Sequence, residues 1–468
     1  MNGVSMTNTR TERDSMGEVA VPSDALYGAQ TKRAVDNFPV SGRTFPSLFI
    51  RMLGEIKYAA ASANRKLGRL DKKLADAIMQ AAERVAKGEC DQHFPIDVFQ
   101  TGSGTSTNMN ANEVIANLAN VALGSLLGAK TPVHPNDHVN DGQSSNDVIP
   151  TAIHLSAAYG IKYELIPALR ELQKELSQKA KAFDDVVKIG RTHLMDATPI
   201  RLGQEFSGYA TQVAHVTEAL ERVLPSLFEL AIGGTAVGTG INTHPKFANE
   251  VCSVLSKRLS LDLKEATNHF AAQGAKDACV EASGLLKMTA LAVMKIADDL
   301  RWLASGPRAG LAEIKLPELQ PGSSIMPGKV NPVIPEVVCQ VACQVIGNDT
   351  AITMGASTSK FELNVTMPLI AINLLDSIRL LTAGAQLLAK KCVAGIEADK
   401  ERCRQFVEQS LMLVTPLAKE IGYDRAAALA KRAYTERKTI REVALEEKVL
   451  DERKLNQILD VRSMMEPK

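Results

Sequence analysis

The stretch from Ala278 to Ala304 is apolar on almost every face of a helix. Its main charged interruptions are five residues: Lys287, Lys295, Asp298, Asp299 and Arg301. A membrane span needs about 20 residues that are nearly free of charge, so these charges favour a helix buried on all sides within a bundle. Burial on every side in turn indicates oligomerisation, because one subunit alone has too little surface to cover such a helix.

Composition and periodicity elsewhere predict a mainly α fold with long helices. Aromatic residues make up only 4% of the chain, whereas strands favour aromatic and β-branched residues. An apolar stripe after Ile161 repeats at steps of three and four: Leu165, Leu169, Leu172, Leu176 and Ala180. The 468 residues exceed the usual size of one core. We predict an N-terminal domain over residues 1–143, a central long-helix bundle domain over 144–398 and a small C-terminal domain over 399–468.

Charge and cysteine usage exclude several classes of protein. The formal net charge of +1 lacks the electrostatic footprint of a protein that binds nucleic acid or an anionic membrane. The start, MNGVSMTNTRTERDSMG, is polar and has no apolar signal-peptide run, so we expect a cytoplasmic protein. Seven cysteines without a CxxC argue against disulfides or a zinc ribbon. Cys339 and Cys343 would form half a metal site, but without further ligands at suitable spacing we expect buried free thiols.

The polar stretch from Pro317 to Asn331 contains the segment PGSSIMPGKVNP. Its prolines and glycines predict an irregular loop, which presents four polar side chains: Ser323, Ser324, Lys329 and Asn331. Backbone amides, a cation and a carboxamide together would hold a carboxylate and stabilise negative charge beside it. A surface turn with a solvated lysine fits the pattern equally well. A phosphate loop fits poorly, because five residues separate the two glycines and Val330 follows the lysine.

A second polar stretch, from Thr101 to Asn112, runs from a glycine-rich turn into an apparent helix. Ser103, Thr105 and Asn108 would therefore converge at a helix N-terminus, which favours anion binding. For any single one of these residues, capping of the helix is an equally ordinary role.

The third polar stretch, from Thr131 to Asn146, contains HPNDHVNDGQSSND. His134 and His138 have metal-ligand spacing, with Asp137 beside them, but Pro135 and Asn136 argue against a regular helix that presents both rings.

A single histidine stands in the segment GRTHLMDATPIRLGQE. His193 lies there near Asp196 and Glu205, and a lone histidine is usually structural. With the hydroxyl cluster and the lysine–asparagine clamp, however, it completes the set that proton abstraction next to a carboxylate requires.

The segment GSSIMPGKVN resembles the signature of the fumarase/aspartase superfamily, most of whose members cleave a C–N or C–O bond to release fumarate. The resemblance extends from ERDSMGEVAVPSDALYGAQTKRAV through all three polar stretches to the basic C-terminal segment. It implies the mainly helical superfamily fold, with long central helices forming the core of a homotetramer. It also implies active sites that each draw on three subunits, and a lyase that needs no cofactor. We expect no metal requirement, because the sequence has no cluster of metal ligands and Lys329 can balance the charge of the substrate.

Within the superfamily, four segments resemble class II fumarases: GRTHLMDATP, HPNDHVN, GGTAVGTGINTHPKFA and FELNV. Aspartases usually carry glutamine where His193 stands, whereas NPVIPEVV resembles the aspartase form. The resemblance therefore implies reversible hydration of fumarate to L-malate in the tricarboxylic acid cycle, through an aci-carboxylate intermediate, with aspartate ammonia-lyase as the alternative.

Two hypotheses that assign the chain to other classes of protein have less support in the sequence. An iron–sulfur fumarase would need a cysteine-ligated cluster, which these cysteine spacings do not suggest. A crystallin-like non-catalytic relative need not keep four functional residues that are all present here: His193, Ser323, Lys329 and Asn331.

The resemblance also assigns roles to residues. Ser323 resembles the base that removes the proton from carbon 3 of malate, Lys329 and Asn331 resemble the binders of the adjacent carboxylate, and His193 with Glu336 resembles the pair that handles the water. The implied substrate pocket comprises Ser103, Gly104, Thr105, Ser144, Ser145, Asn146, Thr192, Ser324, Lys329, Val330 and Asn331. A second, non-catalytic anion site is implied at His134, Pro135, Asn136 and Asp137, which makes Asp137 a loop residue and not a metal ligand.

Overall fold

A computed structural model describes residues 8–466, and the mainly helical fold predicted from the sequence is confirmed. The expectation of a cytoplasmic protein rests on the polar N-terminal segment. Residues 1–7 of that segment lie outside the described residues. The helices are α1 (Ala29–Asn37), α2 (Ser47–Lys66), α3 (Lys72–Ala86), α4 (Thr105–Ala122), α5 (Ser145–Gly160), α6 (Ile166–Ala182), α7 (Leu202–Leu227), α8 (Phe247–Leu259), α9 (His269–Gly274), α10 (Asp277–Leu303), α11 (Val333–Ser357), α12 (Met367–Leu387), α13 (Lys400–Gln409), α14 (Val414–Ile421), α15 (Tyr423–Glu436), α16 (Ile440–Glu446) and α17 (Glu452–Ile458).

The strands form small two-stranded sheets. They are β1 (Thr9–Asp14), β2 (Gly17–Pro22), β3 (Val187–Thr192), β4 (Met195–Arg201), β5 (Glu229–Leu230), β6 (Lys264–Glu265), β7 (Ile314–Lys315) and β8 (Glu397–Ala398). The pairs β1–β2, β3–β4 and β7–β8 are antiparallel, and β5–β6 is parallel. Wide-pitch π turns at Pro135–Val139, Ile161–Leu165 and Leu388–Cys392 interrupt or follow the helices. The second of these joins α5 to α6.

Contacts divide the chain into two compact units. The first takes the chain up to Ile166, then Ala219–Met288 and Gln344–Leu381; the second takes Pro167–Glu218, Thr289–Cys343 and the chain from Thr382 onward. The three consecutive domains predicted from the sequence stay a prediction, because a grouping by contacts does not test where consecutive segments begin.

The core of the first unit forms where α2 packs against α3, α5 and α8. Large apolar side chains from four helices are fully buried there: Phe49, Ile56, Ile78, Ile115 and Ile153. Gly54 lets α2 approach α3 closely, since a Cβ at this position would lie 2.5 Å from the backbone nitrogen of Ala86.

The second unit contains a separate small core made largely by the C-terminal helices. Its buried members include Val407, Leu417, Leu429 and Val443, and they pack with Ile189 of β3. This core therefore ties the C-terminal region to the β3–β4 hairpin.

The apolar stripe predicted after Ile161 is confirmed at four of its five positions, since Leu165, Leu169, Leu172 and Leu176 are fully buried, whereas Ala180 at its end is only partly buried. The expectation that α10 is buried on all sides included cover from other subunits, and a single chain does not test that part. Met288, Leu291 and Trp302 lie along one face of α10 and are 39%, 52% and 50% exposed. Within the described residues, the chain covers only part of this helix.

One helical segment, Met367–Gly395, is long and apolar enough by composition to cross a membrane. Most of it is buried within the chain, as expected of a core helix. All seven cysteines are free, as predicted, but the expected burial is wrong for Cys343, which is exposed, and only partial for Cys339.

Candidate active site

A chain of three hydroxyl groups lies where α4 and α5 begin. Ser103 Oγ is 2.7 Å from Thr105 Oγ1, which is in turn 2.7 Å from Ser145 Oγ. Gly104 turns the backbone into α4 with a φ of 71°, and a Cβ there would lie 2.9 Å from the Ile149 side chain. The side chain that caps the first turn of α4 is Gln100, whose Oε1 accepts from the Thr107 amide (3.0 Å), so the capping alternative for Ser103 and Thr105 is not supported. The hydroxyls remain able to bind a carboxylate or a water molecule.

Ser144 and Asn146 are held by hydrogen bonds at the start of α5. The Asn146 amide N–H donates to Ser144 Oγ (3.2 Å), and the Ser144 N–H donates to Asp147 Oδ1 (2.9 Å), which forms a capping box. The Asn146 side chain donates to the carbonyl oxygen of Ala236 (2.8 Å). These bonds fix the backbone that carries Ser145.

Asp147 is a structural residue that the sequence analysis missed. It is fully buried, and its Oδ2 accepts from the amides of Gly233 and Thr235, each at 2.9 Å. Burial raises the pKa of Asp147 to about 6, against the lowering effect of these amide donors and of Lys57. Its position three residues after Ser144 was a usable signal, because a capping box pairs these two positions.

The residues of the implied second anion site form one tight turn. The amides of Asn136 and Asp137 approach His134 Nδ1 at 3.3 Å, and the His134 amide donates to His138 Nδ1 at 2.8 Å. Pro135 opens the turn at Pro135–Val139. Both Nδ1 atoms thus face backbone amides of their own turn, which does not support a shared metal between the two rings. In the described part of the chain no group of three or more His, Cys, Asp or Glu side chains could hold a metal ion.

The signature loop is closed at its neck by backbone and side-chain hydrogen bonds. The Gly322 amide donates to the Lys329 carbonyl oxygen (2.7 Å), and Asn331 Nδ2 donates to the Gly322 carbonyl oxygen (2.7 Å). A Cβ at Gly322 would lie 2.7 Å from that Lys329 oxygen, so only glycine fits the neck. Ser324, Lys329 and Val330 are exposed on the loop beyond it.

Ser323 has an environment that favours an alkoxide. Its Oγ accepts hydrogen bonds from the amides of Ile325 (3.2 Å) and Met326 (2.9 Å). Two donors aimed at one hydroxyl oxygen stabilise negative charge on it, as in an oxyanion hole. The loop amides are thus placed at Ser323 Oγ, whereas no contact joins Lys329 to Ser323 among the described residues.

His193 lies at the tip of the hairpin formed by β3 and β4. Thr192 pairs with Met195, so His193 and Leu194 form a two-residue turn, with φ values of 56° and 60°. Two successive positive φ values define a type I′ turn, which normally contains Asn and Gly. The turn is exposed, and it holds His193 in a backbone conformation that its side chain disfavours.

A buried ionic network holds the base of this hairpin. Arg191 makes a bidentate pair with Glu313 (2.8 and 3.1 Å), while Lys188 Nζ lies 3.5 Å from Glu313 and 3.2 Å from Glu205. Burial raises the pKa of Glu205, although Lys188 opposes the shift. Glu205 therefore supports the hairpin through Lys188. The sequence analysis missed Glu313, because a position more than a hundred residues from Arg191 leaves no local signal.

Glu336 lies in the first turn of α11, where its amide donates to the Pro332 carbonyl oxygen (3.1 Å). In the described residues of the single chain no hydrogen bond joins Glu336 to His193. The predicted site residues thus form four groups: the hydroxyl cluster with the start of α5, the His134 turn, the signature loop with Glu336, and the Thr192–His193 tip.

Comparison with known proteins identifies the family. The family described as "Lyase" matches residues 17–347, and the family "Fumarase C C-terminus" matches residues 413–466. A class II fumarate hydratase of Nitrosomonas europaea is 54% identical over 440 residues, which cover 94% of this chain and 95% of the relative. The class II fumarate hydratase of Neisseria meningitidis is 52% identical and covers 98% of this chain and 100% of the relative. The chain belongs to the class II fumarate hydratase family.

Solved structures agree with this family assignment. A class II fumarase from Schistosoma mansoni has a TM-score of 0.95 at 43% identity and covers 98% of this chain and 99% of that one. A fumarate lyase:delta crystallin from Brucella melitensis, described as bound to cobalt, has a TM-score of 0.94 at 46% identity and covers 98% of this chain and 100% of that one. The superfamily fold predicted from the motifs is confirmed, and the class II fumarate hydratase family is a family of lyases.

Proposed function

We propose that the chain is a hydro-lyase that interconverts fumarate and L-malate. The observation that carries this proposal is the pair of hydrogen bonds that Ser323 Oγ accepts from two backbone amides of its loop, which also presents Lys329. The class II fumarate hydratases named above, at 52–54% identity, support the same reaction. Small dicarboxylates are therefore the proposed substrates.

The proposed reaction starts when Ser323, as an alkoxide, takes the proton from carbon 3 of malate. The electron pair moves into the adjacent carboxylate, which becomes an aci-carboxylate dianion bound by Lys329 and Asn331. Charge on that dianion is stabilised most by donors already fixed in place. The pair then returns to form the carbon–carbon double bond, while His193, supported by Glu336, gives a proton to the leaving hydroxyl. Water and fumarate result.

The aspartate ammonia-lyase alternative rests on the segment NPVIPEVV, and His193 in GRTHLMDATP opposes it. One assay separates the two reactions. Purified protein is mixed with L-malate or L-aspartate, and fumarate is followed by its ultraviolet absorbance. We expect turnover of malate and no turnover of aspartate. Comparable or faster ammonia release from aspartate would overturn the proposal.

A homotetramer is part of the proposal, with each site shared between chains. The support is the exposed apolar face of α10, which includes Leu291 and Trp302, together with the exposed Met354 of α11. A monomer rarely exposes an apolar surface that runs along a long helix. Sedimentation that gives the mass of a single chain at micromolar concentration would contradict this part.

We further propose that the reaction needs no added metal, because Lys329 supplies a positive charge for the developing dianion. Activity should survive prolonged chelation, and a loss restored by one particular ion would refute this. A cytoplasmic location and a place in the tricarboxylic acid cycle complete the proposal, since both fumarate and L-malate belong to that cycle. Cell fractionation with an activity assay tests the location.

A further inference from the structure

A buried lysine, Lys57 of α2, contacts the loop that leads into α5. Its side chain is fully buried, and Nζ donates to Asn140 Oδ1 (3.0 Å) and to Gln143 Oε1 (2.9 Å). Burying an amino group is costly unless fixed partners satisfy it. The proposed chemistry gives Lys57 no direct role, so the position of its two partners is informative.

Asn140 connects three elements through one oxygen atom. Besides Lys57, its Oδ1 accepts from the side-chain amides of Asn108 and Asn112, each at 3.2 Å, and both are buried in α4. Asn140 Nδ2 also donates to the carbonyl oxygen of Gln143 (3.1 Å), the residue just before Ser144. α2, α4 and the loop before α5 are therefore joined at one buried point.

The hydroxyl cluster lies at the ends of these same elements. Thr105 is the first residue of α4, one turn before Asn108, and Ser145 is the first residue of α5, two residues after Gln143. The 2.7 Å bond between the two hydroxyls requires both helix N-termini to keep a fixed register. A displacement of the loop at Gln143 would move Ser145 away from Thr105.

We infer that Lys57 is a positioning residue for the hydration reaction: through Asn140 and Gln143 it holds the starts of α4 and α5 in the register that the substrate hydroxyls need. The inference rests on the proposed function. It assigns Lys57 no contact with substrate, and its effect is on the binding of the dicarboxylate and not on proton transfer.

The test compares Lys57→Met with a matched control, Lys276→Met, in steady-state assays with malate and fumarate. Lys276 is also a buried lysine, but its Nζ donates to three backbone carbonyl oxygens at the end of α9 and not to the loop before α5. We expect Lys57→Met to raise KM about tenfold, because a misplaced binding group weakens binding by that order. Lys276→Met should leave KM unchanged. A purely structural role would lower the amount of folded enzyme, and with it the apparent kcat, at constant KM.

A second variant keeps the inference testable if Lys57→Met does not fold. Gln143→Met removes one partner of Lys57 from a partly exposed position, and it should raise KM in the same direction. Unchanged KM in Lys57→Met, or in Gln143→Met where only that variant folds, would overturn the inference. Wild-type protein that turns over neither malate nor fumarate would instead refute the proposed function, so the two failures are distinguishable.

Discussion

His193 combines a functional side chain with a disfavoured backbone. Its φ of 56° lies in the left-handed region, where a residue other than glycine or asparagine costs of order 1 kcal/mol or more. The β3–β4 pairing and the ionic network at the base of the hairpin impose this conformation. An ideal hairpin tip would contain Asn-Gly, so histidine at this position indicates that its imidazole is needed there.

This conflict gives a prediction with two substitutions. His193→Asn suits the left-handed conformation, so the free energy of unfolding should stay within about 0.5 kcal/mol of the wild-type value. His193→Val, with a β-branched side chain, should lose about 1–2 kcal/mol more. Both should lose about 100-fold or more in kcat, because the proton donor is gone. Urea unfolding and malate turnover measure the two effects, and equal stability of both variants would contradict the argument from backbone strain.

Lys57 predicts a pH dependence of stability. Burial lowers the pKa of Lys57 to about 7, opposed by the charge of Asp147, whereas an unfolded lysine titrates near 10.4. Between these values the unfolded chain binds one more proton, so stability rises with pH by about 1.4 kcal/mol per unit from this group. Between pH 7 and pH 9 the free energy of unfolding of the wild type should therefore rise relative to that of Lys57→Met. A constant difference across that range would show that Lys57 is not titrating there.

At the scale of elements, the hairpin depends on one buried ion pair. Glu313 is fully buried and is satisfied by Arg191 at 2.8 Å and by Lys188 at 3.5 Å. Removing Arg191 leaves Glu313 with the longer contact to Lys188, so the cost should lie below the value of about 3–5 kcal/mol for a fully uncompensated buried charge, and removing both partners costs less than the sum. Arg191→Met should therefore be destabilising, and Arg191→Met with Glu313→Gln should be more stable than simple addition predicts.

The exposed pair of Lys32 and Asp36 on α1 is the matched control for this double-mutant cycle. An exposed i,i+4 pair contributes at most about 1 kcal/mol, so its two substitutions should be small and additive. Additive effects at Arg191 and Glu313 as well would mean that the buried pair is not coupled. Urea unfolding of the single and double variants measures both cycles.

These elements also show what a sequence can and cannot predict here. The Leu165–Leu176 stripe and the closed loop around Gly322 were predictable, because periodicity and proline–glycine patterns act over a few residues. The pairing of Arg191 with Glu313, or of Lys57 with Asn140, was not predictable, because 122 and 83 residues separate the partners. Asp147 was predictable in part. Its capping-box position could be predicted from the sequence, but its hydrogen bonds to Gly233 and Thr235 could not.

At the scale of the whole molecule, α10 is a helix that the single chain covers only in part. Its sequence lacks a polar face, and the chain alone leaves Leu291 and Trp302 half exposed. A sequence predicts that a helix must be covered, but it does not say whether the same chain covers it. The uncovered face supports the proposal that subunits associate, and the same proposal holds that each active site combines residues of different chains.

Mixing two inactive variants tests that claim. Ser323→Ala removes the proposed base, and His193→Asn removes the proposed proton donor, so each homotetramer should be nearly inactive. Suppose that the two residues of one site come from different chains. A site then works only if the chain that supplies Ser323 and the chain that supplies His193 each carry the wild-type residue, and each condition is met with a chance of about one half. Random hybrids of both variants should therefore regain about a quarter of the wild-type activity. Co-expression with two different affinity tags and sequential purification isolates true hybrids for the malate assay. Confirmed hybrids with no more activity than the parents would refute the shared site, since residues from one chain would leave every site without one group.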